Sequence, residues 1–328
     1  MDVIYGPVPS WRFGLSLGID ATTLPKKCTF SCIYCQLGRT KLYVSEPEKI
    51  QDQLPKPKEV DESLQKHLEK IDANSIDFVT VSGTGEPTLN LSLPEIVDVI
   101  RSYIPRKPLG ILTNASLAGR SYVQETLLEF DFVSAKFDAG DEETYHLINR
   151  PSKNVESLSE IKEGIKILVG KAKKTTVALE TMLLKTVQGL SNIHGWRYDR
   201  LVSGILEINP QLVQLYTPWR PSAESFVRPA SQEEINRVAN DLASKLGKET
   251  LWVYGEHDAR IGKASWSKIE AYDEILNLIS RRPCRVTDIT YSLSIPFGLA
   301  FEYLNRMVIE KKAEIKYVNG ERFYQISG

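Results

Sequence analysis

Cysteine is scarce in this chain, with four residues in 328, and three of the four fall within eight positions. Such a distribution cannot staple a protein of this length and points instead to a metal in a reducing compartment. No apolar run approaches the roughly 18 residues that a membrane helix needs. The first residues include Asp2, Pro7, Pro9 and Arg12 where a signal peptide would be apolar, so a cytoplasmic protein is expected. Neither charge dominates: 41 Lys and Arg against 42 Asp and Glu give a net of −1, with no global pull toward nucleic acid, although a local patch stays open. Hydrophobic residues at 42% and charged residues at 25% exclude disordered, collagen-like and coiled-coil classes. The length of 328 residues suits one large barrel or two domains.

What the chain does have is alternation. Short β-branched or aromatic runs at 13–19, 76–82, 109–113, 132–138, 175–184 and 212–217 read as strands. Helical patterns at 60–71, 93–103, 119–129, 155–169, 190–206 and 231–246 lie between and after them, the last opened by a Ser231/Glu234 capping box. This is the signature of a parallel sheet with crossover helices. Six such units are too few for a closed eight-stranded barrel, which leaves an open barrel or a doubly wound sheet. A change comes near 262–267. Helices are expected at 269–280, 285–293 and 296–311, then strands at 313–317 and 322–326 joined through Asn319-Gly320, a strong hairpin signal. Three helices and a terminal hairpin describe a small winged helix-turn-helix domain at 263–328 behind an α/β domain at 1–262.

The three clustered cysteines spell C-x3-C-x2-C over Cys28, Cys32 and Cys35, just after the first expected strand and so at the C-terminal mouth of the sheet. Three thiolates on one loop can hold three corners of a [4Fe–4S] cube and leave one iron open. A structural zinc site would need a fourth ligand. The histidines (His67, His146, His194, His257) are scattered and Cys284 is remote. Zinc and three unrelated thiols are the competing readings. With Tyr34 before the last cysteine, the motif resembles that of the radical S-adenosylmethionine superfamily, and the resemblance extends over about 260 residues of β/α alternation. It implies a partial (β/α)6 barrel, a [4Fe–4S] cluster on the three cysteines, and S-adenosylmethionine chelated to the open iron. It implies one-electron cleavage to methionine and a 5′-deoxyadenosyl radical, which takes a hydrogen atom from a substrate.

Further motifs fit that resemblance. Ser82-Gly83-Thr84-Gly85-Glu86-Pro87 resembles the family's Gly-Gly-Glu-Pro turn, where Glu86 or the Thr84 carbonyl would receive the cofactor's ammonium. An ordinary Gly-rich loop is the bland alternative. Asn114 closes the third strand as a cofactor contact or a helix cap. Ser134, Lys136 and Asp138 recur at period two and share one face, either inward toward the cofactor or outward to solvent. Glu180, with Thr181 beside it, and then Gln214 and Tyr216 continue the inward set. The family's Gly-x-Ile-x-Gly-x-x-Glu stretch is absent, residues 183–191 reading LLKTVQGLS. The opening Tyr5-Gly6-Pro7 and the Gln36-Leu37-Gly38-Arg39 stretch are similar to a mostly archaeal group of iron–sulfur oxidoreductases related to the wyosine-forming tRNA enzymes, although no cysteine precedes Cys28 to hold their second cluster.

The remaining expectations concern partners. With one cysteine left over, superfamily branches that need a second cluster or paired catalytic cysteines do not fit, and Cys284 reads as a small buried residue at a helix start. Residues 1–45 carry Arg12, Lys26, Lys27, Arg39 and Lys41 against Asp2 and Asp20, a net of +3 that suits an acidic electron donor such as ferredoxin or flavodoxin, or an anionic substrate. Residues 266–328 hold nine basic and eight acidic side chains, too balanced for sequence-specific DNA, so protein or RNA recognition or simple packing over the barrel is expected there, and the substrate stays unidentified, with tRNA or protein as candidates. The runner-up is an iron–sulfur redox sensor that regulates through its winged helix.

Overall fold

The structure is a computed structural model, and it describes residues 2–256, 264–266 and 270–327. The boundary expected at 262/263, the helix start at Ile269, and His257 lie outside the described residues.

Eight strands form one sheet in chain order: β1 (Ile4–Ser10), β2 (Gly14–Asp20), β3 (Phe78–Ser82), β4 (Leu109–Thr113), β5 (Phe132–Lys136), β6 (Thr176–Met182), β7 (Leu212–Tyr216) and β8 (Leu251–Val253). Only β1 and β2 are antiparallel; every later neighbour is parallel, and the two end strands do not pair with each other. Helices α1 (Pro57–Leu68), α2 (Leu93–Tyr103), α3 (Ser121–Leu127), α4 (Glu142–Ile148), α5 (Leu158–Lys171), α6 (Gly195–Ile208) and α7 (Gln232–Leu246) lie between the strands. The Ser231/Glu234 box opens α7 with bonds in both directions, 3.2 Å and 2.7 Å.

Two strands of this sheet escaped the sequence reading. β1 contains Pro7 and Pro9, which argue against a strand except at an edge, and β1 is an edge. β8 has three residues, too few to show a period. The run expected at 175–184 divides into β6 and a short strand, Leu184–Thr186, paired with Val227–Pro229.

The alternation along each strand decides which side is core. Val79 and Val81, Ile111, Val133 and Ala135, Val177 and Leu179, and Val213 and Leu215 join the main apolar cluster under the helices. The opposite face carries Ser16, Thr80, Ser134, Lys136, Glu180 and Tyr216, and several of these meet at one cavity. At the strands' N-terminal ends, Phe13 stacks on Phe78 (4.1 Å) and Phe132 on Trp252 (5.7 Å). That aromatic layer closes one end of the polar face, so the cavity sits toward the C-terminal ends.

After the main sheet come α8 (Ala271–Arg281), α9 (Val286–Leu293), α10 (Phe297–Ile309) and the hairpin β9 (Ala313–Val318) with β10 (Glu321–Ile326). Asn319 and Gly320 turn the hairpin with φ of 49° and 80°. The apolar core of this segment, with Ile275, Leu278, Ile289, Leu304 and Met307, also takes in Val8 of β1. On the other side, Phe323 lies 6.3 Å from the Trp219 ring beyond β7. The segment therefore covers the free edge of β1 and reaches toward the far side of the open sheet.

Candidate radical and cofactor site

The cysteine loop leaves β2 and crosses the C-terminal ends of the strands. Backbone bonds tie it down: Ile33 N donates to Ile148 O (2.9 Å), Ser31 N to Asn149 O (3.1 Å) and Glu224 N to Ile33 O (3.0 Å). The buried Glu224 carboxylate accepts both Arg39 bonds (2.9 Å each) and pairs with Arg150. Those bonds, the Arg39 bond first, hold the Glu224 carboxyl below its ordinary range.

Each thiol meets an N–H donor. Cys28 Sγ is 3.5 Å from both Phe30 N and Asn114 Nδ2, Cys32 Sγ is 3.5 Å from Asn149 Nδ2, and Lys26 Nζ stands 3.1 Å from Cys35 Sγ. Burial pushes Cys28 up to about 12 and Cys32 up to about 11. Thiols this reluctant to ionise become thiolates when a metal displaces the proton. For Lys26 burial acts downward, but the neighbouring Cys35 and Cys28 outweigh it and its pKa is raised. Among the described residues no group of three or more His, Cys, Asp or Glu side chains is arranged to hold a metal ion. An iron–sulfur cube brings its own core and asks for spaced thiolates with N–H donors to sulfur, the donor set found here.

The glycine-rich loop after β3 lies against this one. Glu86 N donates to Lys27 O (3.0 Å), and a Cβ on Gly85 would stand 1.7 Å from that same oxygen, so only glycine permits the approach. Glu86 is buried and accepts four bonds: from Thr88 N (3.1 Å), Thr88 Oγ1 (2.7 Å), Thr113 Oγ1 (2.5 Å) and Asn114 N (2.6 Å). Its expected role was a cofactor contact. The structure shows first a latch between the loops after β3 and β4, with its Oε2 taking one of the four bonds. Burial raises its pKa against those bonds. Asn114 Oδ1 caps a turn at Ser116 N (2.9 Å) rather than the helix that follows, whose N-cap is Arg120, while Nδ2 reaches Cys28 Sγ and Thr29 Oγ1.

The cavity has a volume of about 630 Å³ and is walled by Cys28, Cys32, Cys35, Tyr34, Gly83, Gly85, Glu86, Asn114, Lys136, Glu180 and Tyr216. Four expected site residues stand behind that wall. Thr84 turns its N–H and hydroxyl to Asp20 (3.0 Å and 3.2 Å). Asp138 accepts from Tyr34, Asn149 (2.9 Å) and Met182 N (2.8 Å), so it braces the cysteine loop. Ser134 donates to Gln214 (2.7 Å) and Glu180 (3.2 Å) beneath the floor. Their period-two placement is inward, yet strand depth and partners withdraw them from the surface. Thr181 faces the other way, donating to Phe137 O (2.9 Å).

Asn149 and Glu224 had drawn no site reading, and Arg12, Lys26 and Asp20 only a place in the charge balance around the cluster loop. Arg12 Nη2 lies 2.7 Å and Lys136 Nζ 3.1 Å from Glu180 Oε1, while Lys136 also bonds Tyr216. Burial alone would raise the Glu180 carboxyl, but these two cations hold it down at about 2. A polar residue in the Trp11-Arg12 turn of an edge hairpin gave no periodic signal. Of the five cations counted near the cluster loop, Arg12, Lys26 and Lys27 point inward and only Arg39 and Lys41 remain at the surface.

Residues 23–188 match the Radical SAM superfamily, half of the chain and all of the cysteine and glycine loops. The chain belongs to that superfamily. It is 31% identical to a UPF0026 protein of Methanocaldococcus jannaschii over 99% of this chain and 96% of that one. A UPF0026 protein of Helicobacter pylori is 30% identical over 98% of this chain and 97% of its own length. Among solved structures, Streptococcus suis SuiB bound to S-adenosylmethionine superposes with a TM-score of 0.52 at 13% identity, over 74% of this chain and about half (51%) of SuiB. The chain is thus a radical SAM enzyme, of a superfamily whose members use a [4Fe–4S] cluster and S-adenosylmethionine. The redox-sensor alternative is not favoured. Among the described residues no helix is long and apolar enough to cross a membrane.

Proposed function

We propose that Cys28, Cys32 and Cys35 hold a [4Fe–4S] cluster, that S-adenosylmethionine lies between it and the floor of a partial (β/α)6 barrel, and that a substrate enters the same cavity. When bound, the pair supplies one-electron cleavage of the cofactor to a 5′-deoxyadenosyl radical, which removes a hydrogen atom from the substrate. The observation that carries this reading is that all three cysteines line one cavity with Gly83, Gly85, Glu86, Lys136, Glu180 and Tyr216.

This chain's residues have separable tasks. Lys26, Asn114 and Asn149 place N–H donors at the thiols and set the charge balance there. Glu86 fixes the loop whose carbonyls, with its remaining lone pairs, face the cofactor's ammonium. Lys136 and Arg12, which share the one carboxylate of Glu180, orient hydroxyl and carboxylate groups of the cofactor. The three helices and hairpin at the C-terminus act as a winged-helix module that covers the cavity. The electron comes from an acidic donor such as ferredoxin or flavodoxin, and tRNA or protein is the substrate class; the kinship with wyosine-forming tRNA enzymes belongs to the same proposal.

The test is anaerobic reconstitution with iron and sulfide, then dithionite and S-adenosylmethionine. The expected product is 5′-deoxyadenosine; a reconstituted cluster with no cofactor cleavage would overturn the reading.

A further inference from the structure

The cavity has a second wall that the cofactor reading does not use. Arg282, in the turn between α8 and α9, and Arg285, at the start of α9, reach it from the C-terminal segment; Arg220 reaches it from the segment after β7. Arg285 pairs with the buried Asp288 (3.2 Å) and with Glu321 (3.1 Å) at the surface. At this wall the guanidiniums of Arg220, Arg282 and Arg285 surround the Asp288 carboxylate and outweigh its burial, holding its pKa below the ordinary range, while Asp20, Glu86 and Glu180 line other parts of the same cavity. The Nε of Arg220 and the Nε and Nη2 of Arg282 are buried and have no hydrogen-bond partner among the described residues. Burial and the nearby Arg282 pull Arg220 down to about 9. Trp219 orders the group: the Arg220 guanidinium lies 3.8 Å and that of Arg285 5.6 Å from its ring.

Buried charged donors without acceptors are costly, and like charges side by side add to the cost. A packing role would be met by the Arg285–Asp288 pair alone. Guanidinium forks match the oxygens of phosphate in pairs, and three guanidiniums against Asp288 and Glu321 keep a positive surplus that a bound anion would offset. We propose that Arg220, Arg282 and Arg285 form an anion subsite in the same cavity that holds a phosphate group of the substrate; Arg220 Nη1 also donates to Gln36 Oε1 (3.3 Å), beside Cys35. That it is the substrate's phosphate rests on the function proposed above; that it is an anion site does not.

The test is calorimetric titration of the full-length chain, with and without reconstituted cluster, using inorganic phosphate at low ionic strength. Saturable binding is expected, with acetate giving none at the same concentration. Arg282→Gln and Arg220→Gln should each weaken phosphate binding about tenfold or more, the value of a charge-assisted bond. Arg282→Lys, which keeps the charge and loses the fork, should fold as the wild type does and still bind several-fold more weakly. Arg101→Gln, which removes a surface pair with Asp131, should change nothing. Absence of saturable binding, or unchanged affinity in Arg282→Lys and Arg220→Gln, would overturn the subsite. Displacement of phosphate by S-adenosylmethionine in the reconstituted protein would assign the arginines to the cofactor and overturn the substrate role. Phosphate binding is read without turnover, so failure of cofactor cleavage and failure of the subsite are told apart.

Discussion

Arg281 and Asp20 form a buried ion pair, Nε to Oδ2 3.5 Å, with side chains 3% and 1% exposed. The pair joins α8 to the end of β2. Asp20 also receives Thr22 N (3.1 Å), Thr23 N (2.9 Å) and Thr84 N (3.0 Å), so one carboxylate ties the C-terminal segment to the glycine-rich loop of the site. Arg281→Met should cost about 3–5 kcal/mol, because it leaves a buried charge without its counter-ion. Urea unfolding of the full chain checks this; a midpoint within error of wild type would show that the threonine N–H groups suffice. For the same reason removal of 266–328 should yield an unstable protein rather than a free-standing barrel, since it also uncovers Val8 and the β1 edge.

Cys28→Ala, Cys32→Ala and Cys35→Ala should each abolish the brown absorbance of the reconstituted protein, since three ligands are the minimum. Cys284→Ala should leave it intact. Cys284 is buried against Tyr324 in the C-terminal segment, its pKa raised by that burial. Loss of absorbance in the Cys284 variant would place a ligand where the fold does not.

Glu86→Ala should act on stability as well as on the cofactor. It strands the buried donors of Thr88, Thr113 and Asn114, at about 1–3 kcal/mol for each left unpaired. Thermal melting should fall, and S-adenosylmethionine affinity should fall about tenfold or more through the displaced loop. A variant that melts like wild type would refute the latch.

Gly85→Ala should prevent the two loops from closing, because the new methyl would meet the Lys27 carbonyl at 1.7 Å. Iron content after reconstitution is the measurement, and near-stoichiometric iron would contradict the expected clash.

His67 should make stability depend on mildly acidic pH. It is buried, bonds Gly6 O (2.9 Å) and packs edge-on against Trp266 (5.4 Å). Burial lowers its pKa to about 4, with Lys70 acting in the same direction and Asp2 against it. The unfolded imidazole takes up its proton near 6.5, above the folded value, so stability is complete above about 6.5 and falls as the pH drops toward 4. The full loss is on the order of 3 kcal/mol. His67→Gln should flatten the melting temperature between those pH values; an unchanged slope would show that other groups carry it.

The C-x3-C-x2-C spacing, the Gly83–Glu86 turn and the β/α alternation are local patterns, and local patterns are written in order along the chain. They determined the class of fold, the ligand loop and the end of the sheet where the site lies. The period-two set on β5 likewise chose its side of the sheet. Depth is not periodic: whether Lys136 reaches the cavity while Ser134 stays below it depends on Glu180, Gln214 and Tyr216 from strands more than 40 residues away. Nor could spacing show that Arg12, Asn149 and Glu224 serve the cysteine loop and the floor, because each meets its partner over a separation of 74 residues or more. β1 was hidden by its prolines, which only an edge position excuses. The arginine wall was legible only in part: Arg282 and Arg285 belong to a basic stretch of the C-terminal segment, but nothing in sequence joins Arg220 to them. Arg220, Arg282 and Arg285 are far apart or merely adjacent cations in sequence, and only the placing of the C-terminal segment against the open sheet brings them to one cavity around Asp288.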